Sequence, residues 1–247
     1  MNNIILGTQV HPTSYDEATD LIQAWAGQGD SRMVVFANVH MIMEAYNSAD
    51  FQQIVNAADL AAPDGMPLVW LLRRRGFRTQ QRVSGYSQTM RTLEAASTAG
   101  YPVGFYGSTP SNLARLVENV KDSYPGLQVT YAYSPPFREL TPEEDAAVIA
   151  AIRNSGVKLL FVSLGCPNQE RWVFDHRGQI DAVMLGIGAA FEVLGGSRTR
   201  APKWMRRNGL EWAYRLWQEP LRLWKRYLLL NPRFVAMTCL PFLRKHK

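Results

Sequence analysis

Short apolar runs separated by helix-length amphipathic stretches set the pattern of this chain. Val34-Val35-Phe36 predicts a buried strand, followed by a helical stretch from about His40 to Ala58. Asp59 to Ala62 predicts a weaker strand running into a Pro63-Asp64-Gly65 turn. Val103 to Tyr106 predicts another, closed by Gly107, and Val129 to Tyr131, Leu159 to Ser163 and Ala182 to Leu185 predict three more. Ser108-Thr109-Pro110 and Thr141-Pro142-Glu143-Glu144 read as helix starts: a hydroxyl cap, a proline in the first turn and, in the second string, early carboxylates. Strands alternating with helices imply right-handed crossovers and a mainly parallel sheet, an α/β class. The composition changes near Gly195-Gly196. Beyond it, helices are expected from about Pro202 to Leu216 and from Pro220 to Leu230.

Composition narrows the class. Of 247 residues, 47% are hydrophobic and 19% charged, enough for a sizeable core and unlike a disordered, collagen-like or coiled-coil chain. Two cysteines make no disulfide framework. The first thirty residues lack a basic segment followed by an apolar one, so no signal peptide is expected. No apolar run reaches the length of about 18 residues that a spanning helix needs. The formal charge of +6 hides an asymmetry. Residues 197–247 carry 13 Lys/Arg against 2 Asp/Glu, so the first 196 residues sum to −5. Trp204, Trp212, Trp217 and Trp224 also lie in this tail. The expected organisation is a body, 1–196, and a basic, aromatic, helical appendage, 197–247, suited to an anionic partner.

Ligands of open α/β sheets sit beyond the carboxyl ends of the strands. By sequence order that edge receives Asn38, Asp64, Gly107, Gly165 to Gln169, and Gly186-Ile187-Gly188. Pro63-Asp64-Gly65 is a turn string in its own right, but a strand-end carboxylate can also accept a proton from a hydroxyl nucleophile. Gly165-Cys166-Pro167-Asn168-Gln169 reads as a strand-to-helix junction whose N–H groups would suit a phosphate. Gly186-Ile187-Gly188 is too short a glycine string to stand for a dinucleotide loop. In the tail, Arg222, Lys225 and Arg226 share one helical face. Interleaved tryptophans and leucines make that face one that can lie in a membrane interface. Phe234 to Leu243, bracketed by Arg233 and Arg244-Lys245, can embed but cannot cross; a helix packed on the body is the alternative. The histidines show no metal-ligand spacing, and the His40/Glu44 pair reads as a surface contact.

Taken in order, these strings resemble the WecG/TagA/CpsF family of bacterial glycosyltransferases over nearly the whole chain. The most specific part is Leu164-Gly165, Pro167, Gln169-Glu170, Trp172 and His176-Arg177. It continues through Gly186-Ile187-Gly188, Phe191, Arg200 to Met205, Gly209 to Trp212, Tyr214-Arg215-Leu216 and Glu219-Pro220. The resemblance implies a Rossmann-like body with helices on both faces and an inverting enzyme without metal or other cofactor. The sugar would move from a UDP-sugar to a polyprenyl-diphosphate-linked sugar at the cytoplasmic face of the membrane, in cell-surface polysaccharide synthesis. The implied donor is UDP-N-acetylmannosamine, its uronic acid, or UDP-glucose. Asp64 falls on the family's proposed general base. Arg215 and Arg222 fall on its tail arginines, with a third at Lys225 or Arg226, and Asn38 and Gln169 match polar pocket residues. Gly107, Gly165, Gly186 and Gly188 complete the expected substrate-binding set. Three positions depart from the family strings: Phe36 replaces a threonine, Glu192 an aspartate, and Tyr86-Ser87 a Ser-Asp pair.

The expected partners are the two substrates and an anionic membrane surface, with no nucleic acid; a homo-oligomer is left open. Two other classes compete. A nucleic-acid-binding protein could use the basic tail, and a nicotinamide-dependent oxidoreductase could use Gly186-Ile187-Gly188. The body offers the first no recognition-helix motif and the second no complete fingerprint. The transferase reading requires Asp64 to face a cleft and to be free of a locking salt link.

Overall fold

The computed structural model describes residues 2–244, without the side chains of Arg207, Arg226 and residues 239–244. A small hairpin, β1 (Ile4–Ile5) and β2 (Thr8–Gln9), precedes α1 (Tyr15–Gln28). There follow β3 (Arg32–Ala37), α2 (Val39–Asn47), α3 (Ala49–Asn56), β4 (Leu60–Pro63), α4 (Met66–Arg74) and α5 (Gly85–Ala99). The second half holds β5 (Val103–Gly107), α6 (Pro110–Ser123), β6 (Val129–Tyr133), α7 (Pro142–Asn154), β7 (Leu159–Ser163), α8 (Asn168–Asp175), β8 (Val183–Gly186) and α9 (Ala190–Leu194). The tail consists of α10 (Lys203–Arg207), α11 (Glu211–Gln218), α12 (Pro220–Lys225), a π-helical turn Arg226–Leu230, and α13 (Asn231–Arg244).

Six strands form one sheet in the order β4-β3-β8-β7-β5-β6, every neighbouring pair parallel. The class is therefore the expected one, α/β with helices on both faces. Successive side chains of a strand point to opposite faces, and β3 shows it. Met33, Val35 and Ala37 join one apolar layer with Ile42 and Leu160, whereas Val34 and Phe36 join another with Phe105, Phe161 and Phe191. Because both faces are covered, the inner strands read as unbroken apolar runs.

The connections also explain the cleft. The helix after β3, α2, packs on the first layer; the helix after β8, α9, packs on the second. β3 and β8 are neighbours, so their exits diverge and a crevice opens at their carboxyl ends. Both predicted helix starts form as read. Thr109 caps α6 ahead of Pro110, and Thr141 and Glu144 make a reciprocal capping box at α7. The single helix expected from His40 to Ala58 is instead two. Ser48 takes an extended conformation, and its hydroxyl accepts from the Phe51 N–H to start α3. The tail helix expected from Pro202 to Leu216 is broken likewise, at Gly209 (φ +71°).

Candidate active site

The crevice has two connected compartments of about 310 and 120 Å³. The body supplies the floor: Asn38 after β3, Gly165 and Gln169 after β7, Gly186 at the end of β8 and Gly188 just past it. The tail closes the rim with Arg198 to Ala201, Glu211, Tyr214, Arg215 and Arg222. Asn38, His40, Asp64, Glu211 and Arg215 line both compartments and so mark where they meet.

Asp64 is placed by backbone: its N–H donates to the Ala37 carbonyl at 2.8 Å, tying the end of β4 to the end of β3. Its carboxylate faces the cleft, but it is also ion-paired. Arg82 Nη2 and Nε stand 2.8 and 2.9 Å from Oδ1. The sequence-based requirement is thus met in one half only. The pairing is one-sided, because Oδ2 accepts just a long 3.4 Å contact from the Gly85 N–H among the described residues. Arg82 reaches on to Glu211 Oε2 at 2.7 Å, and Arg215 stands 3.5 Å from Glu211 Oε1. Two carboxylates and two guanidinium groups therefore alternate around the junction.

Their proton affinities separate. Burial pushes the Asp64 carboxyl up and prevails over the neighbouring Arg82. Burial acts the same way on Glu211, but there Arg82 and Arg215 together hold it below the ordinary glutamate value. Arg82 is pulled down by burial and held up more strongly by Asp64 and Glu211. When environment drives two carboxylates apart, the one with the higher affinity is fitted to take a proton. Here that is Asp64.

The remaining expected residues divide. Asn38 lines the cleft and caps α2, its Oδ1 accepting from the Met41 N–H at 3.2 Å. Gln169 is buried; its Nε2 donates to Glu170 Oε1 at 2.7 Å, while its Oε1 is buried without a hydrogen-bond partner among the described residues. A Cβ on Gly186 would lie 3.2 Å from Gln169 Nε2, so that glycine makes room for the amide. Gly165 and Gly188 line the cleft. Gly107 does not. It has φ +122°, and a Cβ there would fall 2.2 Å from the Ser163 carbonyl; the residue allows β5 to approach β7 and is a packing position. Arg222 lines the larger compartment, exposed and paired with Glu219. Lys225 is exposed, sits over the Trp224 ring and lines neither compartment. The Arg226 side chain, and those of residues 239–244 in the stretch expected to embed, lie outside the described residues.

Four cleft residues were not singled out by sequence reasoning. Glu211 was legible only within the Gly209 to Trp212 string, and Arg82 only at the head of the Arg82-Val83-Ser84-Gly85 string that leads into Tyr86-Ser87, each without a role. His40, which does stand 3.5 Å from Glu44, also lines both compartments; its place two residues after Asn38 was the available signal. Arg200 is the fourth. The departures are here too: Phe36 and Tyr86 line the cleft, and Arg200 stands over the Tyr86 ring. Among the described residues no three His, Cys, Asp or Glu side chains could hold a metal ion, and no helix is long and apolar enough to cross a membrane.

A carboxylate of raised proton affinity lies between two compartments, with arginines around it, at the switch point of a parallel sheet, an arrangement with the chemistry to serve group transfer on an anionic substrate. Residues 3–247 match the model of the glycosyl transferase WecG/TagA/CpsF family, and the chain belongs to that family. It is an enzyme, a glycosyltransferase. Two curated relatives are N-acetylglucosaminyldiphosphoundecaprenol N-acetyl-beta-D-mannosaminyltransferases. The one from Bacillus spizizenii (strain ATCC 23059 / NRRL B-14472 / W23) is 32% identical over 210 residues, 85% of this chain and 79% of the relative. The one from Bacillus subtilis (strain 168) is 30% identical over 204 residues, 82% and 77% respectively.

Proposed function

We propose that the larger compartment takes a UDP-sugar and the smaller one the sugar end of a polyprenyl-diphosphate-linked acceptor, with Asp64 between them. The observation that carries this reading is the position of Asp64, a carboxylate of raised proton affinity lining both compartments. The acceptor hydroxyl gives its proton to Asp64 Oδ2 as its oxygen attacks the anomeric carbon. The bond from that carbon to the diphosphate breaks on the opposite side, so configuration inverts and UDP departs. Arg215 and Arg222 carry the charge that grows on the diphosphate, as bidentate guanidinium donors, without a metal. The names of the two relatives support N-acetylmannosamine as the transferred group and an N-acetylglucosaminyl lipid as acceptor; a glucose-type donor is the other candidate.

The tail supports a peripheral site of action on the anionic, cytoplasmic face of a membrane, in the synthesis of a cell-surface polysaccharide. Trp217, Leu221, Leu228 and Leu229 are exposed alongside Arg222 and Lys225. Apolar and cationic groups on one exposed surface fit an interfacial helix. We take 197–247 as the membrane-associating unit that brings the cleft to its lipid substrate.

The test offers a panel of UDP-sugars with a synthetic lipid-diphosphate monosaccharide to the wild type and to Asp64→Asn. One donor class should turn over, and the variant should lose at least ~100-fold in kcat, the scale of a lost general base. Undiminished turnover by the variant removes Asp64 from that role. No turnover by the wild type with any UDP-sugar overturns the donor assignment.

A further inference from the structure

The cleft contains a cation that the transfer step above does not use. Arg200 lies between α9 and α10 and lines the larger compartment. Its guanidinium stands 3.9 Å from the centroid of the Tyr86 ring, and Nη2 donates to Ser87 Oγ at 3.1 Å. Both contacts are neutral groups. Its Nε is buried and has no hydrogen-bond partner among the described residues. Arg82, in the same cleft, is fully paired between two carboxylates; Arg200 makes no ion pair among the described residues.

The surroundings add to the imbalance. Burial and the nearby Arg206 both push the Arg200 pKa down, and Glu211 and Tyr86 offset this only in part. A half-buried guanidinium whose one nearby carboxylate offsets its burial only in part, and forms no ion pair with it, is costly, and a bound anion lowers that cost. Tyr86 and Ser87 fix its pose. With one face on the ring, its donors lie along the edge of the plane, the geometry that matches two oxygens of one oxyanion.

We propose that Arg200, seated on Tyr86 and Ser87 at the first turn of α5, binds an oxyanion of the sugar-nucleotide donor. The oxyanion is either a diphosphate oxygen pair or a carboxylate on the transferred sugar. The proposal rests on the UDP-sugar reading and adds a donor-binding residue to it.

Calorimetric titration of UDP, a UDP-hexose and a UDP-hexuronic acid tests it, using wild type, Arg200→Gln and Ser87→Asp. The second variant keeps the arginine but places a carboxylate beside it, and thermal unfolding of each ligand-free variant checks that it folds. Both variants should weaken binding about tenfold or more. If the diphosphate is the anion, all three ligands weaken alike; if the sugar carboxylate is, only the uronic acid does. Arg200→Lys should recover part of the loss. Folded variants that bind all three ligands within about twofold of wild type overturn the proposal. A wild type that binds none of the three overturns the UDP-sugar reading itself, and Arg200's role with it.

Discussion

At the scale of single residues, the proposed chemistry turns on how Arg82 is shared. It holds Oδ1 of Asp64 and reaches Glu211 with its other end, so Oδ2 is left with only the long contact from the Gly85 N–H among the described residues. The raised proton affinity of Asp64 has two consequences of definite sign. First, kcat/KM should fall on acidification at a pH above the ordinary aspartate value of 3.8. Arg82→Gln, which removes the guanidinium that lowers the Asp64 pKa, should move that fall to still higher pH; a pH–rate profile of the two proteins checks it. Second, a carboxyl raised on folding binds its proton more tightly folded than unfolded. Its stabilising contribution is present below the unfolded value and is lost as pH rises through the folded one. Near neutral pH, Asp64→Asn should therefore melt no lower than wild type while being inactive, and a clear drop in Tm would show that the ion pair with Arg82 outweighs the burial of the charge. The position of Asp64 could be read from Pro63-Asp64-Gly65 at a strand end. Its partners could not, because Arg82 and Glu211 lie 18 and 129 residues from the groups they bind, and no local pattern links them.

At the scale of elements, legibility followed the hydrophobic pattern and failed where polar groups are buried. The strands β3, β5, β7 and β8 were readable because both their faces are apolar. The helix α5 was not, although its first turn builds the cleft. It buries Gln88, Thr89 and Thr92 next to Leu93 and Ala96, so apolar spacing does not mark its inner face. Its polar contacts are internal: Gln88 Nε2 donates to Thr19 Oγ1 at 2.7 Å, and the Thr89 hydroxyl donates to the Gly85 carbonyl. The breaks at Ser48 and Gly209 were missed for a related reason, since a capping serine and a left-handed glycine interrupt helices without interrupting amphipathicity. The aromatic packing between β5, β7 and α9 is open to a direct test. Phe105 lies 5.5 Å from Phe161 and 5.7 Å from Phe191, centroid to centroid, and all three are buried. Phe161→Ala should cost about 3–5 kcal/mol in a denaturant titration, and it should release the α9 side of the cleft with it.

At the scale of the whole molecule, the tail buries some of its apolar residues and leaves others exposed. Leu223 and Phe234 are buried, and Phe234 belongs to the apolar layer that includes Ile42 of α2, while Trp217 and Leu221 stay exposed. Deleting 197–247 should accordingly abolish turnover through loss of Arg215 and Glu211 and also lower the Tm through loss of Phe234; a truncated body that melts with the full chain would show that Phe234 adds nothing to its stability. Replacing exposed Trp217 and Leu221 by serine should leave the Tm unchanged and weaken sedimentation with anionic vesicles. The strand order carries a consequence for biosynthesis. β3 pairs with β4, and β5 with β6, but β7 and β8 fill the space between these pairs and are translated after them. A nascent chain thus presents two separate ribbons, each with an unpaired inner edge, until β7 and β8 have been made, at about two thirds and three quarters of its length. Those edges are where premature self-association is most expected, so slowed translation between β6 and β8 should tax the yield of this enzyme more than slowing it before β3 or after β8.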